Sequence, residues 1–244
     1  MENKKETTGG NQIEKMFEVG AHYAYTKTKR HPSTKSFIFG SKNGIELFDL
    51  EKTEDCLENA KKFVKEILAI PNKQILFVGS KSEVKNIVKN AAETVNMPSV
   101  TNRWVGGTLT NFDEIKKRVE KYRKLLEDKE TGGLVKYTKK ERLGIDKEIL
   151  KLEKKFAGIV SMKMLPAMLF VIDSRYEAIA VEEAIQKGIP VVSLSNSDCD
   201  ISKIDFPILA NDSVQDSVQF FVDEITSACK AGTPKIKEEP EVKK

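Results

Sequence analysis

Short apolar runs without polar alternation restrict the fold of this 244-residue chain more than any other feature. A strand that is apolar at consecutive positions is covered on both faces, as the strands of a parallel sheet are. Segments in which apolar residues recur at helical spacing separate the runs. This alternation predicts an α/β fold built on a Rossmann-like (flavodoxin-like) parallel sheet. The runs are Gln74–Gly79, Met168–Asp173 and Ile189–Leu194.

The segments between the runs carry the end signals of helices. We expect one helix to begin behind Thr53 and another behind Ser82, because hydroxyl side chains are frequent N-caps. A third helix should end at Gly188, since glycine is the usual residue just after a helix C-terminus. These signals place helices in each gap between the strands, as a doubly wound fold requires.

Residues 108–157 break this alternation and predict a pair of amphipathic helices. Their apolar residues step by three and four, the spacing of a coiled-coil seam, from Phe112 to Leu126 and again from Ile145 to Phe156. A glycine pair lies between the two stretches, and a Thr-Lys-Lys-Glu capping box opens the second one. We therefore expect an inserted antiparallel α-helical coiled-coil hairpin.

These elements divide the chain into tails, a domain and an insertion. Both ends are polar and have little apolar surface to bury, so we expect them to be disordered. The hairpin interrupts the α/β domain. The predicted limits are 1–11 and 232–244 for the tails, 12–107 and 158–231 for the α/β domain, and 108–157 for the hairpin.

The distribution of charge is more informative than the formal net charge of +4. Residues 21–45 hold five basic residues and no acidic one, and residues 113–156 hold 15 basic and 10 acidic residues. Residues 157–231 hold 5 basic and 11 acidic residues. This asymmetry indicates a polyanion-binding side and an opposite side kept clear of the polyanion. A well-solvated surface explains either basic region alone equally well.

Composition argues against several other classes of protein. The three cysteines are far apart, so we expect no disulfide framework and a reducing, cytoplasmic setting. No apolar run approaches the roughly 18–20 residues of a membrane span. The only histidines, His22 and His31, have no neighbouring metal ligand in sequence, and no acid–base pair stands out. We predict no enzyme, no metal, no cofactor and no small-molecule substrate.

Two motifs keep a nucleotide-binding α/β enzyme open as the alternative. Ile75–Lys81 leads a strand into a helix, where phosphate can bind, but it contains neither GxGxxG nor a P-loop. A tight turn with a surface lysine is the favoured interpretation. The aspartates that follow strand ends could hold Mg²⁺ or could form turns. They are Asp173, Asp198, Asp200 and Asp205. A protein-docking module that uses the acidic region is a third hypothesis.

Two segments are candidates for RNA contact. His22–Pro32 interleaves basic residues with aromatic and hydroxyl side chains, has no acid and offers nothing to build a core, which suits a phosphate backbone. Asn102–Phe112 holds Arg103, the only tryptophan and two glycines that permit close approach. For Trp104 a place in the core is the favoured alternative. The threonines and asparagine that follow it could instead cap the first hairpin helix.

In order and spacing, many segments of this chain resemble the bacterial small-subunit ribosomal protein S-two family. The likeness covers roughly residues 13–230, and the block from Arg103 to Phe112 is its most specific part. Matching segments include Phe17–His22, Phe37–Gly40, Asp49–Thr53, Ile75–Lys81, Asn102–Phe112, Leu169–Asp173, Gly188–Val192, Cys199–Asp200 and Asn211–Asp212.

The resemblance implies a fold, a location and partners. It implies a Rossmann-like domain with an inserted coiled-coil hairpin, bound to 16S rRNA between the head and the body of the small (30S) subunit. Neighbouring small-subunit proteins would be partners, and in some bacteria the family docks the large ribosomal protein S-one, which recruits mRNA. We therefore expect a structural constituent of the ribosome that supports translation.

The candidate RNA-binding residues come from the basic loop, the glycine-containing block and the hairpin. We expect them to contact phosphates and to carry little base specificity. They are His22, Lys27, Thr28, Lys29, Arg30, His31, Lys35, Lys42, Arg103, Trp104, Thr108, Thr110, Asn111, Lys116, Lys117, Lys139 and Lys140.

Overall fold

The structure is a computed structural model that describes residues 9–233. It contains seven α-helices and eight β-strands within that range. The helices are α1 (Gly9–Glu18), α2 (Leu50–Leu68), α3 (Lys85–Thr94), α4 (Phe112–Glu130), α5 (Lys139–Phe156), α6 (Ala178–Gln186) and α7 (Gln215–Gly232). The strands are β1 (Tyr23–Thr26), β2 (Ile38–Lys42), β3 (Ile45–Phe48), β4 (Ile75–Val78), β5 (Ser99–Val100), β6 (Met168–Ile172), β7 (Val191–Ser195) and β8 (Phe206–Leu209).

The central sheet is parallel and has the strand order β5-β4-β6-β7-β8. Every residue of β4, β6 and β7 is buried, which is the outcome that the continuous apolar runs predict. Alternate side chains enter two cores. Phe77 packs in the core that includes residues of α2, α3 and α7, and Leu76 packs in the core that includes residues of α6 and the hairpin base. The predicted α/β fold is confirmed.

The predicted hairpin is confirmed as part of this fold. Its seam residues Ile115, Val119 and Tyr122 are buried on α4, and Ile149 and Phe156 are buried on α5. The capping box that opens α5 is present: the Thr138 N–H donates to the Glu141 carboxylate, and the Glu141 N–H donates to the Thr138 hydroxyl. A left-handed glycine stands in the turn between the helices.

Helix starts differ from the sequence expectation, whereas the C-terminal glycine does not. The second helix begins at Leu50, three residues before Thr53, whose buried hydroxyl instead donates to the Leu209 carbonyl at 2.7 Å. The third begins at Lys85 rather than behind Ser82. Both N-cap assignments are wrong, and at Thr53 the hydroxyl serves this tertiary contact instead of a cap. Gly188 has a φ of +65° after α6, as expected.

A second, antiparallel sheet was not predicted. Strands β1, β3 and β2 form it in that order, and Ala24 and Phe48 from its inner side pack on Leu209. The expectation that nothing in His22–Pro32 builds a core is therefore wrong. Only four residues of that segment form a strand, too few for periodicity to reveal.

The structure bears on the predicted tails only at their inner limits. Residues 9–11, assigned to the N-terminal tail, belong to α1, and α7 extends to Gly232. The remainder of the two tails, residues 1–8 and 234–244, lies outside the described residues.

Candidate RNA-binding surfaces

The basic loop is defined here as residues 22–42, which include β1 and β2, and its first part is bonded to Ser197 just after β7. The backbone N–H of Tyr25 donates to the Ser197 hydroxyl at 3.1 Å, and that of His31 donates to the Ser197 carbonyl at 2.8 Å. These bonds fix the loop while its charged side chains point outward. Its exposed candidates are Lys27, Thr28, Lys29, Lys35 and Lys42. The loop thus presents four lysines on a backbone that is anchored to the main sheet.

Arg30 differs from these lysines because it is committed to an internal ion pair. Its guanidinium lies 2.6 Å from Glu46 of β3, with side-chain exposures of 18% for Arg30 and 3% for Glu46. A buried carboxylate that loses its partner is costly, so this pair ties the loop to β3. Arg30 is therefore less available to a phosphate than the lysines are, and its contact with RNA stays a prediction.

The two histidines of the basic loop are held by local contacts. The ring of His22 lies between Phe17 and Tyr23, at centroid distances of 4.3 and 4.1 Å. Desolvation lowers its pKa below the ordinary value and so disfavours the charged form of the ring. His31 caps a 3₁₀ turn and bonds to the Ser33 hydroxyl at 2.7 Å.

Glu183 of α6 organises the block between Arg103 and Asn111. One carboxylate oxygen accepts from Trp104 Nε1 at 3.0 Å and from the Gly107 N–H at 2.8 Å. The other accepts from the N–H groups of Leu109 at 2.9 Å and Thr110 at 3.1 Å, and from the Thr110 hydroxyl at 3.1 Å. Burial would raise the pKa of Glu183, but these donors outweigh it and the pKa is lowered.

Within the same block, the structure separates buried candidates from exposed ones. Trp104 and Thr108 are buried, so neither side chain reaches an RNA on the surface, and the core interpretation of Trp104 is the one that fits. Arg103 and Asn111 are exposed, and Thr110 is half-buried against Glu183. Asn111 is the N-cap residue of α4, but its side chain makes no capping hydrogen bond.

The hairpin candidates are all exposed, but they are not equivalent. Lys117 is paired with Glu114 at 2.6 Å, one turn away on α4. Lys116 on α4, and Lys139 and Lys140 in the first turn of α5, have no carboxylate within ion-pair distance among residues 9–233. The side chains free to meet a polyanion therefore include the start of α5, near the tip of the hairpin.

Lys81, expected at the surface, is instead enclosed at the carboxyl end of the sheet. Its ammonium group pairs with Asp173 after β6 and with Asp212 after β8, the latter at 2.9 Å. Burial alone would lower the pKa of Lys81, but the two carboxylates outweigh burial and the pKa is raised. The expectation of a surface lysine is corrected, because sequence does not show which acids meet at a sheet edge.

Carboxylates also occupy the position where a nucleotide phosphate would bind. The N–H and the hydroxyl of Ser80, at the turn after β4, both donate to Glu177, the N–H at 2.8 Å. Burial raises the pKa of Glu177, and the hydrogen bonds from Ser80 offset this only in part. A phosphate here would meet Glu177, Asp173 and Asp212 instead of free N–H groups, which disfavours the nucleotide-binding alternative.

The other aspartates that might have held Mg²⁺ have structural partners. Asp198 pairs with Arg175 at 2.7 Å, and Asp200 accepts from the Ser202 N–H and hydroxyl in a tight turn. Asp205 accepts from the Val191 N–H at 2.9 Å. Only the contacts of Asp200 match the turn-former interpretation, because Asp198 and Asp205 bind residues 23 and 14 positions away. Across residues 9–233, no group of three or more His, Cys, Asp or Glu side chains is arranged to hold a metal ion.

Sequence reasoning missed the buried acids that shape these surfaces. They are Glu46, Glu177, Glu183 and Asp212, of which only Asp212 lies in a segment that resembles the family. An isolated acid in a sequence is easily taken for a surface residue. A signal existed for Glu183: it lies within the apolar helix segment Ala178–Gln186, on the side that carries Ala180 and Ala184.

No helix in the described part of the chain is long and apolar enough to cross a membrane.

The fold and these surfaces define a class of protein. The chain is an α/β scaffold that carries a basic loop and a basic helical hairpin, with carboxylates where a nucleotide-binding enzyme has its phosphate site.

Comparison with known proteins identifies the family. Residues 16–232 match the model of ribosomal protein S2. The small ribosomal subunit protein uS2 of Karelsulcia muelleri is 39% identical over 216 residues, which cover 88% of this chain and 97% of that protein. The uS2 proteins of Opitutus terrae and Coprothermobacter proteolyticus are each 36% identical, over 89% and 90% of this chain and 72% and 82% of their own lengths.

The chain belongs to the ribosomal protein S2 family. Membership makes it a structural constituent of the small ribosomal subunit, in a family of ribosomal proteins rather than enzymes.

Proposed function

We propose that this protein binds 16S rRNA between the head and the body of the small subunit, in the cytoplasm, and that it does so through its basic loop and its hairpin. The observation that carries the proposal is the set of exposed lysines on the anchored loop. Within residues 9–233, these lysines have no carboxylate at ion-pair distance. They are Lys27, Lys29, Lys35 and Lys42.

Phosphate contact explains this arrangement better than base reading does. Lysine is a flexible point charge that offers no planar pattern of donors to a base edge. RNA duplexes are recognised mainly through shape, phosphates and 2′-hydroxyls. The loop and the hairpin would therefore position the protein on rRNA without reading much sequence. Arg103, Thr110 and Asn111 are further exposed or half-buried candidates beside the sheet edge.

Protein partners are a second part of the proposal. As a small-subunit constituent the chain meets neighbouring ribosomal proteins, and docking of ribosomal protein S-one stays a prediction from the family resemblance.

Neutralising Lys27, Lys29 and Lys35 together to glutamine should weaken binding to small subunits from which this protein has been washed out. Each lost phosphate contact should reduce the slope of log affinity against log salt by about 0.7–0.9, so we expect a reduction of about 2 to 3. Arg30 is left unchanged, because its removal would leave the buried Glu46 carboxylate without its ion-pair partner.

The matched control changes Lys62, Lys65 and Lys73 to glutamine. These side chains are exposed too, but they lie on α2 and just before β4, away from the loop. An equal loss of affinity and slope in both variants would contradict a specific role for the loop.

A further inference from the structure

The α5 helix has two sides of opposite character. At about 100° per residue, Ile145, Ile149, Leu152 and Phe156 share the side that faces α4 and the domain. The opposite side is exposed along its whole length. Its residues are Lys140, Leu143, Lys147, Leu150, Lys151 and Lys154.

This outward side of α5 contains no acid, although the helix has four. Glu141 is held by the capping box, and Asp146 and Glu148 pair with Lys129 and Lys121 of α4, at 2.7 and 2.5 Å. Glu153 lies toward α3, in the groove described below. The cross-helix pairs thus hold two of the acids against α4, away from the outward side. That side keeps four lysines over about 21 Å of helix.

The outward side of α4 lacks this separation. There Lys117 and Lys124 alternate with acids at helical spacing, and Lys117 is already paired with Glu114. The acids on that side are Asp113, Glu120 and Asp128. Two helices of similar composition therefore present different surfaces, one mixed in charge and one purely basic.

The basic side of α5 continues into a groove between α3 and the hairpin base. The groove has a volume of 640 Å³, and its lining includes Lys85, Lys89, Lys154 and Lys155 together with Glu93 and Glu153. Asn102 fixes its floor: the Lys85 ammonium donates to its Oδ1 at 2.5 Å, and its Nδ2 donates to the Lys154 carbonyl at 2.8 Å. The hairpin is thereby tied to α3 where the groove lies.

We infer that the outward side of α5 and this groove form one continuous track for the phosphate backbone of an RNA. The inference rests on the proposed function and names the side of the hairpin that contacts rRNA. Lys140, Lys147 and Lys154 recur every seven residues, about 10 Å apart, on one line along the helix. Leu143 and Leu150, which are 57% and 55% exposed, lie between them and can pack on ribose surfaces.

A protein partner fits this side of α5 less well. A docked helix needs a contiguous apolar seam, and the centres of protein interfaces are depleted of lysine. Here two isolated leucines are separated by lysines. A phosphate backbone instead meets complementary charge at each lysine.

The test compares two triple variants with equal changes of charge on the same hairpin. The track variant is Lys140→Gln, Lys147→Gln and Lys154→Gln. The control is Arg118→Gln, Arg123→Gln and Lys124→Gln, which are exposed on α4 and take no part in the cross-helix pairs. On washed small subunits, the track variant should reduce the salt slope by about 2 to 3 and remove part of the hydroxyl-radical protection of rRNA. The control should retain both. Thermal unfolding midpoints equal to wild type establish that both variants fold.

Each adverse result has a separate meaning. If the track variant keeps the wild-type slope and protection while the basic-loop variant loses them, the inference is wrong and the proposed function stands. If the track variant binds small subunits more weakly while the rRNA protection of the bound protein is unchanged, a protein occupies this side of α5 and the inference is also overturned. If the wild-type protein shows no salt-dependent binding at all, the proposed function itself fails. Restoring charge with arginine at the three positions should restore the slope.

Discussion

Replacing Glu183 by glutamine should lower the free energy of unfolding by about 3 kcal/mol, measured by urea denaturation. The carboxylate satisfies five donors of the block from Trp104 to Thr110. The NH₂ group of glutamine would replace one carboxylate oxygen, so that donors of this block would face another donor instead of an acceptor. Hydrogen bonds to a charged group contribute about 1.5–3 kcal/mol, and buried donors left without an acceptor add to the loss.

The neighbouring change Glu182→Gln is the matched control, because Glu182 is exposed on the same helix. It should shift the free energy of unfolding by less than about 0.5 kcal/mol. The difference between wild type and Glu183→Gln should also depend on pH. Because the pKa of Glu183 is lowered in the folded protein, its contribution is full above the unfolded value of about 4.3 and is lost as the pH falls through the folded pKa. A large effect of Glu182→Gln, or a pH-independent difference, would contradict this role.

Replacing Gly158 by alanine should also cost about 3 kcal/mol. Gly158 lies in the 3₁₀ turn Ala157–Ile159, where α5 returns to the sheet. An added Cβ would stand 2.1 Å from the Ser99 carbonyl oxygen and 3.0 Å from its hydroxyl. Because the nearer of these two atoms is backbone of Ser99 in β5, the hairpin base must shift. Overpacking of this kind typically costs about 1–3 kcal/mol and occasionally more.

Gly144 offers the same chemical change in open space. It lies in α5, and no atom outside its own helix backbone stands within 4 Å of its added Cβ. Gly144→Ala should leave stability unchanged or raise it by up to about 1 kcal/mol, since alanine favours helix more than glycine does. Equal unfolding midpoints for the two alanine variants would show that the close approach to Ser99 does not constrain the hairpin.

Continuous or periodic patterns allowed much of the fold to be predicted. The buried run around Phe77 and the seam that includes Ile115 and Ile149 each repeat a signal over several residues. The small antiparallel sheet gave no such signal, because β1 and β3 have four residues each. Helix starts were misplaced where a hydroxyl, as at Thr53, serves a distant carbonyl instead of a cap.

The candidate surfaces were predicted less completely, because charge alone does not show which partner a side chain meets. Arg30 and Lys27 look equivalent in sequence, but only Arg30 has a buried carboxylate on a strand formed later in the chain. Lys81 is neutralised by acids 92 and 131 residues away. The lysines on the basic side of α5 can be read from their heptad spacing. That this side has no competing acid is seen only from the cross-helix pairs, which hold Asp146 and Glu148 against α4.

Sedimentation of cell lysate in magnesium, with detection of this protein across the gradient, tests the central claim most directly. The account predicts that the protein migrates with small ribosomal subunits and is released as salt rises, because phosphate contacts are lost by counterion competition. A protein that remains at the top of the gradient as a free species would contradict the claim that it is a small-subunit constituent bound to rRNA.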